Sequence, residues 1–566
     1  MRFFAHVSVA ATLVALLVPS AVAKQPQTVE AKNGVVVSVS EPGSKVGVAI
    51  LKQGGNAVDA AVATALAMSV TYPPAGNIGG GGFMMIHPAD GRPPVCIDYR
   101  EVAPAAATRH MFSLTDSRHS RKIVGVPGTV RGLKLAHQNY GKLPWKQLVT
   151  PAVTLARDGF PVDAPLAKSL NAVLGDKKTL PFTEFRRVFA SPDGKAWHAG
   201  DRLVQPDLAR TLEQIAAHGA DGFYTGSVAK LIAAEMKRGA GNGLITTKDL
   251  AAYRAKIRKP IHTTFRGHDV YGPPPPSSGG ITLVLMLNVI ERFNLREKGR
   301  WSAETNHLLI ETMRRAYLDR ARHLGDADFV KIPAFLTTKK YATKLAKSID
   351  RDKATASEQL APDIPLAAEG TSTTHFSIVD AAGMAVANTY TLENSYGSRV
   401  VVRGGGFLLN NEMGDFNWKP GHTDRRGRIG TEANTIQPGK RMLSSQCPTL
   451  VAKNGRIVLV TGSPGGRTII NTALSVVLNV LEFKMPLPQA IAAPRLHHQW
   501  LPDVVRFEEA TDVRHAELVK QLTRMGHTLN DAAYTQGDAH SIYVTGDGSR
   551  YIGVADFRRS GFAAEY

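Results

Sequence analysis

Glu369-Gly370-Thr371-Ser372-Thr373-Thr374-His375-Phe376-Ser377-Ile378-Val379-Asp380 decides how this chain is read. A polar, proline-bearing segment from Ala361 to Ser372 leads into it and reads as an exposed loop. The residues that follow alternate, pause at Ala382-Gly383, and resume as Met384-Ala385-Val386-Ala387-Asn388-Thr389-Tyr390-Thr391. That pattern predicts a hairpin with glycine at its turn. Threonine and serine at the mouth of a buried strand admit two readings. One is β-branched residues opening a sheet. The other is a latent nucleophile. A cut before Thr373 would set a free α-amine, with a pKa near ~8, beside the Thr373 hydroxyl. Threonine with an N-terminal amine is a nucleophile–base pair.

Outward from this stretch, further blocks favour the second reading. They are Asn410-Asn411-Glu412-Met413-Gly414-Asp415-Phe416, Leu443-Ser444-Ser445 and Thr461-Gly462-Ser463-Pro464-Gly465-Gly466. Together with Thr373 to Asp380 and Thr389 to Leu392, they resemble the gamma-glutamyltransferase (gamma-glutamyltranspeptidase, glutathione hydrolase) family in order and in spacing. The resemblance covers nearly the whole chain after its first residues. It implies a four-layer αββα N-terminal nucleophile hydrolase, made as one chain and self-cleaved between Ser372 and Thr373. The large part would be 24–372 and the small part 373–566, associated as a heterodimer.

The resemblance also implies roles. Thr373 would be both the processing residue and the nucleophile, forming an acyl ester with the γ-glutamyl group of glutathione or a related donor. Water, an amino acid or a peptide would then take that group. Thr391 would position the nucleophile, and Gly465 and Gly466 would form the oxyanion hole. Such donors are each worth ~3–4 kcal/mol in a transition state. Arg100, in Asp98-Tyr99-Arg100-Glu101, would bind the α-carboxylate together with Ser444 and Ser445. Glu393, Glu412 and Asp415 would receive the α-ammonium. No metal or organic cofactor is implied.

The residues alone allow blander readings at each point. An arginine at a strand end is commonly a surface ion pair, although only a guanidinium offers a carboxylate two parallel hydrogen bonds. Ser444-Ser445 suit a turn or a helix cap. The 461–467 turn before a helix would also suit a phosphate. Glu412 and Asp415, three apart, could face one side of a turn and bind calcium, but too few oxygen ligands accompany them. His497-His498 are adjacent on a strand and point to opposite faces, which disfavours a shared metal.

The N-terminus reads as an export signal. Arg2 is followed by an apolar run from Val7 to Val18, about 12 residues against the ~20 that span a bilayer, and by Ala21-Val22-Ala23. Cleavage after Ala23 is expected, with a periplasmic or secreted product and no stable membrane anchor. At 566 residues, 43% hydrophobic and 20% charged, the chain is long enough for a large core. Its net charge of +20 comes without a basic stripe interleaved with aromatics, so nucleic acid is not an expected partner. Cys96 and Cys447 could form one bridge or stay as buried thiols.

The rest of the chain frames these motifs. Val35 to Pro74 reads as mostly helical, broken at Gly54-Gly55-Asn56. Gly76 to Phe83 lacks the Gly-Lys-Ser/Thr ending of a phosphate loop and reads as close backbone packing. Gly128 to about Ala255 reads as successive amphipathic helices. Pro273 to Gly280 reads as a rigid turn before a helix to about Phe293, and another helix spans Ser302 to Leu324. A closing helix is expected over Val513 to Met525. Trp418 to Arg441 has no periodicity and matches a lid in the family, but Arg425-Arg426 stand where a lid tyrosine would be expected. Two alternatives remain: a related acylase of the cephalosporin or glutaryl type, and a catalytically dead exported binding protein.

Overall fold

Val35-Val36-Val37 sets the architecture, because its alternate residues face two different cores. Val35 and Val37 pack with Phe83, Met85, Val379, Leu450 and Val460. Val36 packs with Met84, Ile86, Phe376, Ile378 and a helical layer. A strand with both faces apolar requires cover on both sides. The computed structural model of the protein describes residues 25–239, 243–361, 373–426 and 428–566. The export signal and Ser372 lie outside the described residues, as does most of the loop expected before it.

In chain order the principal strands are β1 (Gln27–Ala31), β2 (Gly34–Ser38), β3 (Gly81–His87), β4 (Val95–Asp98), β5 (Lys256–Arg258), β6 (Ile261–Phe265) and β7 (His268–Gly272). They continue as β8 (Thr374–Asp380), β9 (Ala385–Thr391), β10 (Thr449–Lys453), β11 (Arg456–Thr461), β12 (Ser541–Val544), β13 (Tyr551–Ala555) and β14 (Phe562–Glu565). Among the described residues they make two seven-stranded antiparallel sheets, ordered β14-β2-β8-β9-β3-β4-β5 and β1-β13-β12-β11-β10-β7-β6. Each sheet mixes strands from before and after Thr373, so the two halves of the chain share one fold.

The sheets pack face to face, and their outer faces carry helices. The first is covered by α1 (Glu41–Lys52) and α2 (Ala57–Thr71). Ser40 caps the first, and Asn56 with Asp59 closes a capping box on the second, so two helices start where one was expected to be interrupted. The second sheet is covered by α3 (Gly279–Ile290), α4 (Ala303–His323) and α5 (Thr468–Leu481). The result is the four-layer αββα arrangement.

Two expectations need correction. Val35 to Ser38 is strand β2, not helix. Its continuous valine run is a doubly covered strand, which periodicity alone does not separate from a helix. The closing helix is Ala516–Arg524, preceded by a 3-10 turn at Val513–His515. Of the two alternatives left open for Cys96 and Cys447, the structure has buried free thiols.

The glycine run is close packing, as expected. A Cβ at Gly79 would lie 2.1 Å from the Leu408 carbonyl oxygen, and one at Gly80 would lie 2.0 Å from that of Thr391. Gly462 performs a similar service for His375, a buried ring whose Nδ1 lies 2.8 Å from the Thr389 hydroxyl. A Cβ at Gly462 would lie 2.3 Å from that ring. Gly462→Ala is therefore expected to cost about 1–3 kcal/mol through overpacking, read as a lower urea midpoint. An unchanged midpoint would mean that the ring yields.

Candidate active site

The hairpin brings the two threonines together. Thr374 pairs with Tyr390 across β8 and β9, so extending the register by one residue sets Thr373 opposite Thr391. Thr373 is buried, immediately before the strand. The Thr391 hydroxyl accepts a hydrogen bond from the Glu393 N–H at 2.8 Å. Its carbonyl accepts from the Asn77 side chain at 2.9 Å. The loop that follows is strained. Glu393, Tyr396 and Arg399 have φ of 78°, 63° and 61°, conformations that each cost a non-glycine residue on the order of 1–3 kcal/mol. The strain places the Glu393 carboxyl in the same cleft as both threonines.

That cleft is tight, about 30 Å³, and it is lined by Thr373, Thr391, Arg100, Glu393, Glu412, Asp415, Ser444, Ser445 and Gly466 among others. Arg100 sits two residues past β4 and is almost fully buried. Its guanidinium reaches Glu412 and Asp415 at 2.5 Å each and Glu101 at 3.6 Å. It also donates to the carbonyls of Met442 and Leu443, at 3.3 and 3.2 Å. Glu412–Asp415 is one 3-10 turn, and the three-residue spacing aims both carboxylates at Arg100. Arg118 lies 3.6 Å from Glu393. Four carboxylates and two guanidinium groups are therefore gathered at one end of the cleft.

At the other end, the turn before α5 carries Gly465 at φ 130° and Gly466 at φ 58°. Gly466 lines the cleft, and Gly465 lies one residue outside that lining. A Cβ at Gly465 would lie 2.5 Å from the Thr468 hydroxyl. The close approach permits only glycine there.

The sequence reading missed how the serine pair is held. Pro276 and Ser278 form a short parallel bridge with the 444–446 segment. The Ser444 N–H donates to the Pro276 carbonyl at 2.9 Å, and the Ser278 N–H and hydroxyl donate to the Ser444 carbonyl at 2.8 and 2.6 Å. From the last turn of α4, Arg320 donates to the Ser278 hydroxyl and to the Ser445 hydroxyl, both at 2.9 Å. Arg320 also lines the cleft. Its only sequence signal was a charged residue in a helix that proves to be buried along most of its length.

His497 and His498 do not converge on a metal. His497 hydrogen-bonds with Asn471 and Gln499, and His498 with Asp503. At the start of the segment expected to be a loop, Trp418 stacks on Phe112 with ring centroids 4.5 Å apart, and the Arg118 guanidinium lies over the Trp418 ring.

Burial dominates the electrostatics. It pushes Glu101 and Glu393 each up to about 8, against the pull of Arg100 on the first. For Glu393 the Asp415 charge adds to the rise, while Arg118 and Arg100 oppose it. Glu412 is also raised, by burial. Groups raised in this way hold protons that the unfolded chain, with an ordinary glutamate near ~4.3, releases. Stability should therefore fall as pH rises from about 4.5 through about 8. Glu393→Gln is expected to shrink the drop in urea midpoint between pH 6 and pH 9. An identical drop in wild type and variant would contradict this assignment.

The family model described as gamma-glutamyltranspeptidase matches residues 43–566. The glutathione hydrolase proenzyme of Escherichia coli (strain K12) is 45% identical over 540 residues, covering 94% of this chain and 91% of that protein. The crystal structure of cephalosporin acylase from Bacillus halodurans superposes with a TM-score of 0.84 at 25% identity, covering 98% of this chain and 99% of that one. Helicobacter pylori gamma-glutamyltranspeptidase superposes with a TM-score of 0.54 at 40% identity, covering 56% of this chain and 92% of that chain.

Proposed function

The chain belongs to the gamma-glutamyltranspeptidase family, and we propose that it is an exported gamma-glutamyltransferase and glutathione hydrolase that matures by cutting itself between Ser372 and Thr373. The parts 24–372 and 373–566 would remain together, because strands from both halves pair side by side within each sheet. Export rests on the sequence of residues 1–23. No helix among the described residues is long and apolar enough to cross a membrane.

The observation that carries this reading is one cleft holding Thr373 together with groups for both halves of an α-amino acid head. In the free protein, Arg100 is paired with Glu412 and Asp415. An incoming zwitterion supplies an ammonium for these carboxylates and a carboxylate for Arg100, Ser444 and Ser445, so each buried charge keeps a partner. Ser445 already accepts from Arg320, which leaves its own hydrogen to donate to the substrate carboxylate.

The γ-carbonyl then lies over Thr373, near Gly465 and Gly466. The Thr373 α-amine takes the hydroxyl proton as the oxygen attacks. The two glycines stabilise the oxyanion, the amine leaves with the proton, and an ester remains. Water or an acceptor amine reverses these steps and releases the γ-glutamyl group.

The acylase alternative has a fold-level parallel, but a glutaryl chain has no α-ammonium to meet Glu393, Glu412 and Asp415. The test compares kcat/KM for glutathione with that for a glutaryl amide on the purified protein. Glutathione is expected to be preferred, with a γ-glutamyl adduct on Thr373 in peptide mass spectra. Preference for the glutaryl amide would favour the acylase, and turnover of neither would favour a binding protein.

A further inference from the structure

Arg118-His119-Ser120-Arg121-Lys122 is a basic run that no motif of the site explains. Two of its cations pair locally or with a neighbouring helix: Arg121 meets Glu235 at 2.5 Å, and Lys122 meets Asp116 at 2.9 Å. Arg118 instead faces Glu393. Its seat is built for it. The Arg118 carbonyl accepts from the Asn411 side chain at 3.3 Å, and the guanidinium lies over the Trp418 ring. Gly414 leaves it room, since a Cβ there would lie 2.6 Å from Nη1. Arg118 lines a cavity of about 260 Å³ beside Gly414 and Trp418, whereas Glu393 lines the cleft.

The approach of Arg118 to Glu393 stops short. Arg100 reaches Glu412 and Asp415 at 2.5 Å each, but Nη1 of Arg118 stays 3.6 Å from Oε1 of Glu393, outside hydrogen-bonding range. Nη1 and both Glu393 oxygens are buried and make no hydrogen bond in the structure. Buried groups left unmatched are costly, so the Glu393 carboxylate calls for a donor from elsewhere. Charge attraction falls off only slowly with distance, and it still acts across the gap.

We propose that Arg118 is a positioning residue for the donor's α-ammonium, holding the Glu393 carboxylate in its charged form from outside the cleft and leaving both its oxygens open to the substrate. The proposal rests on the transferase reading above and deepens it.

The charges around Glu393 fix the sign of the effect. Asp415 and Glu412 face it from the 412–415 turn, Arg100 from beyond β4, and Arg118 from the loop before Val124. Thr373 and Arg320 share the cleft with it. Burial and Asp415 favour the protonated carboxyl, and of the two opposing cations Arg118 is the stronger. A protonated Glu393 offers the ammonium no charge. Removing Arg118 therefore weakens the ammonium end near neutral pH. Raising the pH repairs the loss, because Glu393 then ionises unaided.

The test measures hydrolytic kcat/KM for γ-glutamyl-p-nitroanilide at pH 7 and pH 9. The enzymes are mature wild type, Arg118→Gln, Glu393→Gln and the double variant. Arg118→Gln is expected to lose ~10-fold at pH 7, from the low end of the 1–3 pH units by which an opposite charge moves a neighbouring carboxyl. The low end applies because the guanidinium is 30% exposed and screened by solvent. At pH 9 the loss should narrow to ~2-fold, as kcat/KM follows ionisation in the free enzyme. Titration of the Thr373 amine is common to all four enzymes and cancels in these ratios. In the Glu393→Gln background the same substitution should change kcat/KM less than ~2-fold at either pH, because its partner is gone. Arg118→Lys, which keeps the charge, should recover most of the pH 7 activity. The pH comparison and Arg118→Lys decide the matter alone if Glu393→Gln does not mature. The proposal is overturned if Arg118→Gln matches wild type at pH 7, if its loss is equal at both pH values, or if that loss persists beside Glu393→Gln. A wild type that does not hydrolyse the donor would instead remove the underlying functional reading.

Discussion

Thr373→Ala is expected to give a single uncut chain with no γ-glutamyl turnover. The substitution removes one hydroxyl at a buried position just outside β8, so the hairpin and both sheets should form. On the proposed mechanism that same hydroxyl attacks the precursor backbone and later the donor. Its loss therefore removes processing and catalysis together, and activity should fall by at least ~10⁴-fold, as for other nucleophile deletions. That corresponds to ~5.5 kcal/mol of transition-state stabilisation. Thr373→Ser, which keeps the oxygen, should be cut and active at a reduced rate. A urea midpoint near that of the uncut wild-type precursor would exclude misfolding as the cause. Normal cutting of Thr373→Ala would assign processing to another group and dismiss Thr373 as the nucleophile.

Arg100→Lys should mature normally yet lose ~100-fold in kcat/KM for γ-glutamyl donors, chiefly through KM. A loss of that size corresponds to ~2.7 kcal/mol, within the range for truncating a buried charge-assisted pair. Lysine keeps a positive charge near Glu412, Asp415 and Glu101, but it lacks the planar fork that serves carboxylates on two sides at once. Arg100→Ala is a poorer test. It would leave buried carboxylates facing one another at a cost of about 3–5 kcal/mol, and the protein itself would suffer. The control is a donor without its α-carboxylate, which Arg100→Lys should impair much less. An equal loss on both donors would make Arg100 a structural residue. Unchanged KM would have the same meaning.

The sequence was most readable where chemistry and local geometry coincide. The Thr373–Thr391 hairpin follows from alternation and a glycine turn. The Glu412–Asp415 spacing is one turn of helix, and it does converge on Arg100. The glycine run at 79–82 needs no ligand, because backbone carbonyls fill the space that side chains would take.

What was hidden depends on distant partners. Val35-Val36-Val37 reads as helix until one sees that a second sheet lies on one face and helices on the other. Strand β14 pairs with β2 over more than five hundred residues of chain, and no local pattern announces that. Arg320 belongs to the site only because α4 is buried and passes behind Ser445. The Pro273–Gly280 stretch reads in sequence as a rigid turn before a helix, but that it also holds the serine pair in register depends on its distant partner Ser444.

The central claim is that the nucleophile is created by cleavage. Intact mass with N-terminal sequencing of the purified, exported protein tests it most directly. Two chains, the shorter beginning at Thr373, are the predicted result. A single chain running through Thr373 that still turned over a γ-glutamyl donor would contradict the account.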